Sequence, residues 1–535
     1  MSDDSASQPR RLAHDALLVT CCTLFSRATG FVRVLVAAAV LSNGVLGDTY
    51  HAANFVPNLV FELVAGGVLQ AVLLPTFVAS RRSGGDDQLG RTAGVVLGAI
   101  VSVLTLIALV MMMLAPLVAR ALVSSETDPV VAHDKVALIT AMLLVFIPQI
   151  VFYGIGMVAT AALAARRRFA AAALAPAVNN TIVIICYLIY SVTRHGAPPS
   201  LHLDALQFAL LAGGTTLAVV VFTAVPGIVL SAQGVRWRPR WEPRHPAIAS
   251  LRRIAGWAML SVVGTLLPTA AAVVLGYRAE GGVAVFTMAF AFFVLPHALV
   301  AVPVATTVAP RVAEAWQSDD VETIRQLVNG AAQVVVPLLM FAGTAMVVLS
   351  WPIARVAASI GDAASQGYEP IAHTVAVFGI GLVGYGMAFV GARVLFAVND
   401  VKRTSLLVSA SACIGIVAMV IASGVIRAGE RSVALAIGYV IAQIVSAALL
   451  TLRMRRVTGA PTFATIGRLS VRSLVAALLC ACAMVPTRLQ FGTDASSSLA
   501  AIVVAGIAGG LVFVGAVALL LGSSPRTMLR QLGRA

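Results

Sequence analysis

The sequence predicts an all-α polytopic membrane protein, and three observations carry that prediction. Of its 535 residues 59% are hydrophobic and only 11% are charged, against about 25% charged in a water-soluble domain. Mean hydropathy is +0.95. Apolar runs long enough to cross about 30 Å of hydrocarbon, which takes about 20 helical residues, recur along the whole chain. The net charge of +15 does not indicate nucleic acid, because the basic residues are scattered between apolar runs rather than massed on one solvated face.

About fourteen spans follow from this criterion, with bounds 14–41, 50–80, 92–119, 136–165, 169–193, 204–233, 254–277, 282–310, 326–350, 371–398, 404–426, 432–452, 470–487 and 497–522. Several contain Pro or Gly and exceed the minimum, as tilted or kinked helices do. The polar start MSDDSASQPRR is followed by no small-residue cleavage site, so the first run reads as a retained helix. The six cysteines, Cys21, Cys22, Cys186, Cys413, Cys480 and Cys482, lie in apolar stretches without CxxC spacing and read as buried small hydrophobes.

The connections alternate in charge. One set carries Arg10 and Arg11, Arg81, Arg82 and Arg91, Arg166 to Arg168, Arg236 to Arg253, Arg311 and Arg325, Lys402 and Arg403, Arg453 to Arg472, and Arg526, Arg530 and Arg534. The opposite set is sparse, with Arg120, Lys135, Arg194 and Arg278 among its few cations. The positive-inside rule then places both termini in the cytoplasm. The longest polar connection, 234–253, divides the chain into 1–233, the linker, 254–456 and a final pair of spans with a tail at 457–535. Similar Pro-containing spans and tight basic turns recur in both halves, as in transporters built from repeats.

Charge at membrane depth needs a reason, since a central arginine costs about 2.5–3.5 kcal/mol on insertion scales. The first span holds Arg27 and Arg33 in SRATGFVR, about 120° apart around the helix and about 9 Å along it. In the second span Asp48, His51, Asn54, Asn58 and Glu62 follow spacings of 3, 3, 4 and 4, which gathers them on one face. That stripe either hydrogen-bonds neighbouring helices or lines a wet cavity. Glu62, the acid deepest in any span, is the natural partner for Arg27 or Arg33, and Gly66–Gly67 permits close helix contact. Gln149, Asn179, Asn180, His297 and Arg393 are further candidates, each open to the same two readings. A P-loop, HExxH, GxSxG or dinucleotide fingerprint is not found. No enzyme activity or cofactor is therefore expected, and energy must come from a cation gradient, membrane potential or a partner.

The stretches SRATGFVR, NFVPNLVFELVAGGVLQAVLLP, ALAPAVNNTIVI, LPHALVAVPVATTVAPRVA and RVLFAVNDVKRT together resemble the MurJ/MviN family of lipid II flippases, within the wider superfamily of multidrug, oligosaccharidyl-lipid and polysaccharide exporters. The Arg-rich composition resembles the actinobacterial branch. The resemblance implies two six-helix lobes around a central cavity plus two C-terminal helices. It implies outward flipping of undecaprenyl-pyrophosphate-linked peptidoglycan precursor by alternating access in the bacterial inner membrane. It matches family positions at Ser26, Arg27, Gly30, Arg33, Asp48, Pro57 and Asn58, and the expected headgroup site is Ser26, Arg27, Arg33, Asp48, Asn54, Asn58 and Glu62, with His297, Arg393 and Asn179 secondary. Partners implied are lipid II, membrane lipids and cell-wall synthesis proteins. Two family arginines are replaced, by Phe61 and Ala291. The alternatives are another lipid-linked glycan, a cation-coupled drug exporter, or a non-transporting scaffold of the cell envelope. A polyanionic headgroup suits fixed guanidinium charge, whereas a drug exporter would favour an acidic or aromatic cavity.

Overall fold

The computed structural model describes residues 4–64, 73–124, 126, 128–166, 168, 170–242, 244–360, 367–459 and 463–521. Gly66, Gly67 and the basic tail residues Arg526, Arg530 and Arg534 lie outside the described residues. The helices run in order as α1 (Asp4–Leu41), α2 (Val45–Val64), α3 (Leu74–Val123), α4 (Pro129–Phe146), α5 (Gln149–Ala165) and α6 (Ala170–Thr193). Then come α7 (Ala205–Phe208), α8 (Gly214–Ala232), α9 (Pro246–Gly276), α10 (Gly282–Gln317), α11 (Val321–Val348) and α12 (Ser350–Ala358). The last are α13 (Glu369–Ala397), α14 (Val401–Val425), α15 (Arg431–Thr458), α16 (Phe463–Leu489) and α17 (Ala495–Leu521).

Among the described residues twelve helical stretches are long and apolar enough to span a bilayer. The other two expected spans correspond to α2, whose polar stripe lowers its hydropathy, and to α9 (Pro246–Gly276), which covers the span expected at 254–277 to within a residue. Local chemistry explains the departures from the expected bounds. Pro148 lacks an N–H and divides the span expected over 136–165 into α4 and α5. The chain leaves helical geometry inside α3 at Gly84 and at Gly85 (φ 65°), a conformation that suits glycine. This turn ends the second expected span and starts the third. Ser80 Oγ lies 2.7 Å from Thr92 Oγ1 across it. The short helix α12 was not anticipated.

The chain forms two compact units: residues 1–40 with 49–262, and residues 41–48 with 263–535. In the first, α3, α5, α6 and α8 form the packed centre. In the second, α13 packs against α10, α11 and α15, and α14 lies on α15. Glycines set the closest approaches there. A Cβ on Gly415 would stand 2.7 Å from the Gly438 carbonyl oxygen, and one on Gly379 would stand 2.7 Å from that of Gly343. Small-residue contacts of this kind let membrane helices gain dispersion contact where lipid removes the hydrophobic drive. The C-terminal pair, α16 and α17, joins α11 through Cys480, Met484, Ala505, Phe513 and Val517. Phe513 stacks on Phe341 at 4.8 Å between ring centroids.

The turn between α1 and α2 belongs to the second unit, and Asp48 is the reason. Its carboxylate accepts hydrogen bonds from three backbone amides at the start of α10: Gly281 (2.7 Å), Val283 (3.0 Å) and Ala284 (2.7 Å). The side chain is 4% exposed. Helix N-termini present unsatisfied donors and partial positive charge, and a carboxylate answers both. Asp48 therefore leaves the polar stripe on which periodicity placed it and acts as a cap across sequence. Asn43 is fully buried beside it, with its amide 4.0 Å from the Met288 sulfur.

Asp48→Ala is expected to lower stability by about 1–3 kcal/mol, because three buried donors lose their acceptor. Asp48→Asn, which keeps one carbonyl oxygen for Val283 and Ala284, should lose less. Thermal unfolding of the purified chain in detergent measures both.

Candidate functional site

The first unit assembles most of the predicted site around α1 and α2. The helix α1 is continuous through Thr29 and Gly30, without a break at that pair. Instead α6 docks there. The Asn180 amide donates to the Ser26 carbonyl oxygen and to Thr29 Oγ1, each at 3.3 Å, and Gly30 leaves room for that amide. Asn180 thus makes the inter-helix contact. Its neighbour Asn179 is half-buried, and its Oδ1 accepts no hydrogen bond among the described residues.

Arg33 is half-buried and lies within electrostatic range of Tyr50, His51, Tyr153 and Tyr187. Among the described residues its guanidinium has neither a hydrogen bond nor an ion pair. The groups around it are held by their own partners. Tyr50 and Thr215 hydroxyls meet at 2.7 Å. Tyr50 also packs edge-on against Tyr187 and Phe146, each at 5.8 Å between centroids. Tyr153 donates from its hydroxyl to Asn58 Oδ1 at 3.1 Å, and Asn58 Nδ2 donates to the Asn54 carbonyl oxygen at 2.8 Å. The Oδ1 of Asn54 accepts no hydrogen bond among the described residues. A fixed hydroxyl and amide scaffold thus lies within electrostatic range of a cation that makes no hydrogen bond among the described residues.

Arg27 and Glu62 are both exposed on the first unit and interact electrostatically, although no ion pair joins them among the described residues. Tyr153 lies in range of both Arg33 and Glu62. The site therefore brings together Arg27, Arg33, Asn54, Asn58 and Glu62, with the Ser26 backbone tied to α6. It does not include Asp48. Gln149 is a packing residue, fully buried and donating to Thr216 Oγ1 at 2.7 Å. Sequence reasoning passed over Tyr153 and Tyr187, since tyrosines and other hydroxyls recur through the spans and nothing local marks these two.

The second unit pairs the two remaining candidates. His297 on α10 is 3% exposed and rests on Tyr385, with ring centroids 4.0 Å apart, and against Phe389 at 5.1 Å. Arg393, one turn along α13, places its guanidinium 5.2 Å from the Phe389 ring centre, within cation–π range. An aromatic column of Phe286, Phe290, Phe293, Phe378 and Tyr439 continues from them along the unit. Among the described residues no group of three His, Cys, Asp or Glu side chains is placed to hold a metal ion, and the five described cysteines are free.

Comparison with known proteins extends this geometry. A family model described as "Lipid II flippase MurJ" matches residues 37–504, a stretch that begins after Arg33. The chain is similar to the "Probable lipid II flippase MurJ" of Rhizobium tropici, 28% identical over 365 residues, covering 68% of this chain and 66% of that protein. It also resembles the "Probable lipid II flippase MurJ" of Rhizobium meliloti (strain 1021), 26% identical over 399 residues, covering 74% and 72%. Among solved structures, "Lipid II flippase MurJ, inward closed conformation" aligns with TM-score 0.74 at 16% identity over 94% of this chain and 98% of the other. An inward-facing multidrug resistance MATE family transporter aligns with TM-score 0.64 at 17% identity, over 82% and 94%. Both structural likenesses speak to the fold.

Among the described residues Arg33→Ala removes no hydrogen bond and no ion pair, and it removes an unpaired charge, so it should not lower the melting temperature. Gln149→Ala, which deletes a buried partner of Thr216, should cost about 1–2 kcal/mol. Thermal unfolding of the two variants side by side distinguishes a site residue from a packing residue.

Proposed function

Because the chain belongs to the family of the lipid II flippase MurJ, we propose that it carries undecaprenyl-pyrophosphate-linked peptidoglycan precursor from the inner to the outer leaflet of the bacterial inner membrane. The observation that carries this reading is Arg33: a guanidinium at membrane depth that among the described residues makes no ion pair, within electrostatic range of Tyr50 and Tyr153. A guanidinium has five donors in a planar fork and keeps its charge, which suits bidentate contact with phosphate oxygens. Tyr153, half-buried and donating to Asn58, leaves a hydroxyl oxygen that can accept from a sugar hydroxyl of the headgroup. Arg27 enlarges the positive field, and Glu62 keeps it from becoming a permanent anion trap.

Transport of this kind breaks no covalent bond. The chain's task is to replace the water lost by the headgroup with its own donors, in one leaflet and then the other, while the polyprenyl tail stays in lipid. The headgroup must bind loosely enough to leave, which favours a few fixed cations over a saturated clamp. The two replaced family arginines, at Phe61 and Ala291, leave Arg27 and Arg33 carrying more of the headgroup charge in this chain. Arg393, near His297, is the candidate to take the role of a replaced arginine. The basic connections are proposed to face the cytoplasm, with both termini there. The protein is proposed to work without a bound cofactor, on membrane potential or a coupling cation, and to serve cell-wall synthesis enzymes acting on the far side.

Depletion of the protein should leave lipid II inaccessible to an externally added probe. Re-expression of the native chain should restore access, and re-expression of Arg33→Ala at equal level should not. Unchanged accessibility on depletion would point instead to another lipid-linked glycan or to a scaffold.

A further inference from the structure

The connection from α8 to α9 was expected to be a solvated linker, yet its first half is docked with strict register on α3. Residues Gly90, Gly94 and Gly98 form a ridge free of side chains along one face of that helix. A Cβ on Gly90 would stand 2.7 Å from the Arg236 carbonyl oxygen; on Gly94 and Gly98 it would collide with the carbonyl oxygens of Arg238 and Arg240. Four helical residues rise about 6 Å and two extended residues about 6.6 Å. A glycine every fourth residue therefore meets a carbonyl every second residue. The Arg240 amide closes the contact by donating to the Gly94 carbonyl oxygen at 2.9 Å. The other end is fixed by Arg166, which donates to the Gln233 carbonyl oxygen at 3.3 Å and pairs with Asp86 at 3.0 Å. Val235 is buried, and the Trp237 indole donates to Ser231 Oγ at 2.9 Å.

This register turns the side chains of Arg236, Arg238 and Arg240 outward. All three are exposed, and among the described residues none forms an ion pair. Trp241 beside them is 66% exposed. The strap also ends where lipid begins. From Thr92 to Gly98 every residue of α3 is buried, whereas from Ser102 to Arg120 its outer face carries Val103, Leu106, Met113 and Leu117, exposed at 54%, 64%, 82% and 63%. That stretch rises about 27 Å, close to the hydrocarbon thickness of about 30 Å. Arg240, beside Gly98, thus stands about 6 Å beyond the hydrocarbon edge, Arg238 about 12 Å and Arg236 about 18 Å. The first two distances fall in or next to the headgroup layer, and Trp241 occupies the level at which indoles anchor membrane proteins.

We infer that this glycine-seated strap is a docking site for anionic phospholipid headgroups of the leaflet on the basic side of the protein. The phosphodiester is met by a ladder of unpaired guanidiniums held at graded depth, and Trp241 sets the level. The inference requires only that the chain is embedded in a bilayer. It does not depend on the transported substrate.

The test uses the full-length chain in bilayers and Trp241 as the reporter. The part of the fluorescence lost in Trp241→Phe is compared in bilayers of phosphatidylglycerol and of phosphatidylcholine, each brominated near the headgroup end of the acyl chains. Stronger quenching by the anionic lipid is expected. The triple variant Arg236→Gln/Arg238→Gln/Arg240→Gln, made at exposed unpaired positions, should reduce the preference at least about tenfold. Gly94→Leu, which keeps every arginine but displaces the strap, should reduce it as well. Arg427→Gln, on a sparse connection, should not. Equal quenching by the two lipids in the native chain, or an undiminished preference in the triple variant, would overturn the inference. A soluble acidic partner would give that same lipid-indifferent result. No lipid-linked glycan enters the measurement, so its failure leaves the transport reading untouched.

Discussion

The molecule is organised around the cost of a positive charge placed where water is scarce. A guanidinium cannot shed its proton, so Arg33 cannot escape its environment by neutralising as a buried carboxylate or amine would. Among the described residues no carboxylate stands within pairing distance of it. The structure offers it dipoles instead: hydroxyls of Tyr50, Tyr153 and Tyr187, themselves locked by Thr215, Asn58 and edge-on ring contacts. Such an arrangement is poor as a stability device, because an unpaired charge near the membrane interior lowers stability. It is good as a binding device, because nothing has to be broken before an anion arrives. The polarity of α2 follows from the same need, since a cation in α1 requires a neighbour that tolerates water.

Two further charged groups, Asp48 and Arg453, show the opposite solution, in which the charge is engaged by the architecture. Asp48 gives both carboxylate oxygens to the start of α10, and Arg453 holds Asp400 at 2.6 Å between α15 and the turn before α14. Both pairs are satisfied and half-buried or buried, and both tie segments far apart in sequence. The contrast with Arg33 separates function from scaffold more sharply than position along the chain does. Residue type alone could not, since Asp48 and Glu62 share one helical stripe and differ only in what their oxygens meet.

Much of the helix layout was legible because its cause is one-dimensional: apolar length sets spans, and alternating basic connections mark their ends. What the sequence hid required a second strand of chain. Asp48 fits the period of α2, and nothing local shows that Gly281 and its neighbours lie opposite. The linker's arginines looked like a solvated charge run. Their every-second-residue spacing mattered only beside glycines spaced by four on α3, more than a hundred residues earlier. Tyr153 and Tyr187 were hidden for the same reason, since each is an isolated hydroxyl until folding places it near Arg33. Conversely, His297 and Arg393 were picked out separately from sequence, and the fold joins them through Phe389.

The central claim is that uncommitted guanidiniums in α1 recognise a pyrophosphate linkage. The most direct measurement is the relative affinity of the purified chain for undecaprenyl pyrophosphate and undecaprenyl monophosphate, followed by native mass spectrometry. The account predicts tighter binding of the pyrophosphate to the native chain, and loss of that difference in Arg27→Gln/Arg33→Gln while binding of the tail persists. Equal affinity for the two lipids in the native chain, or a preference that survives the double substitution, would contradict it.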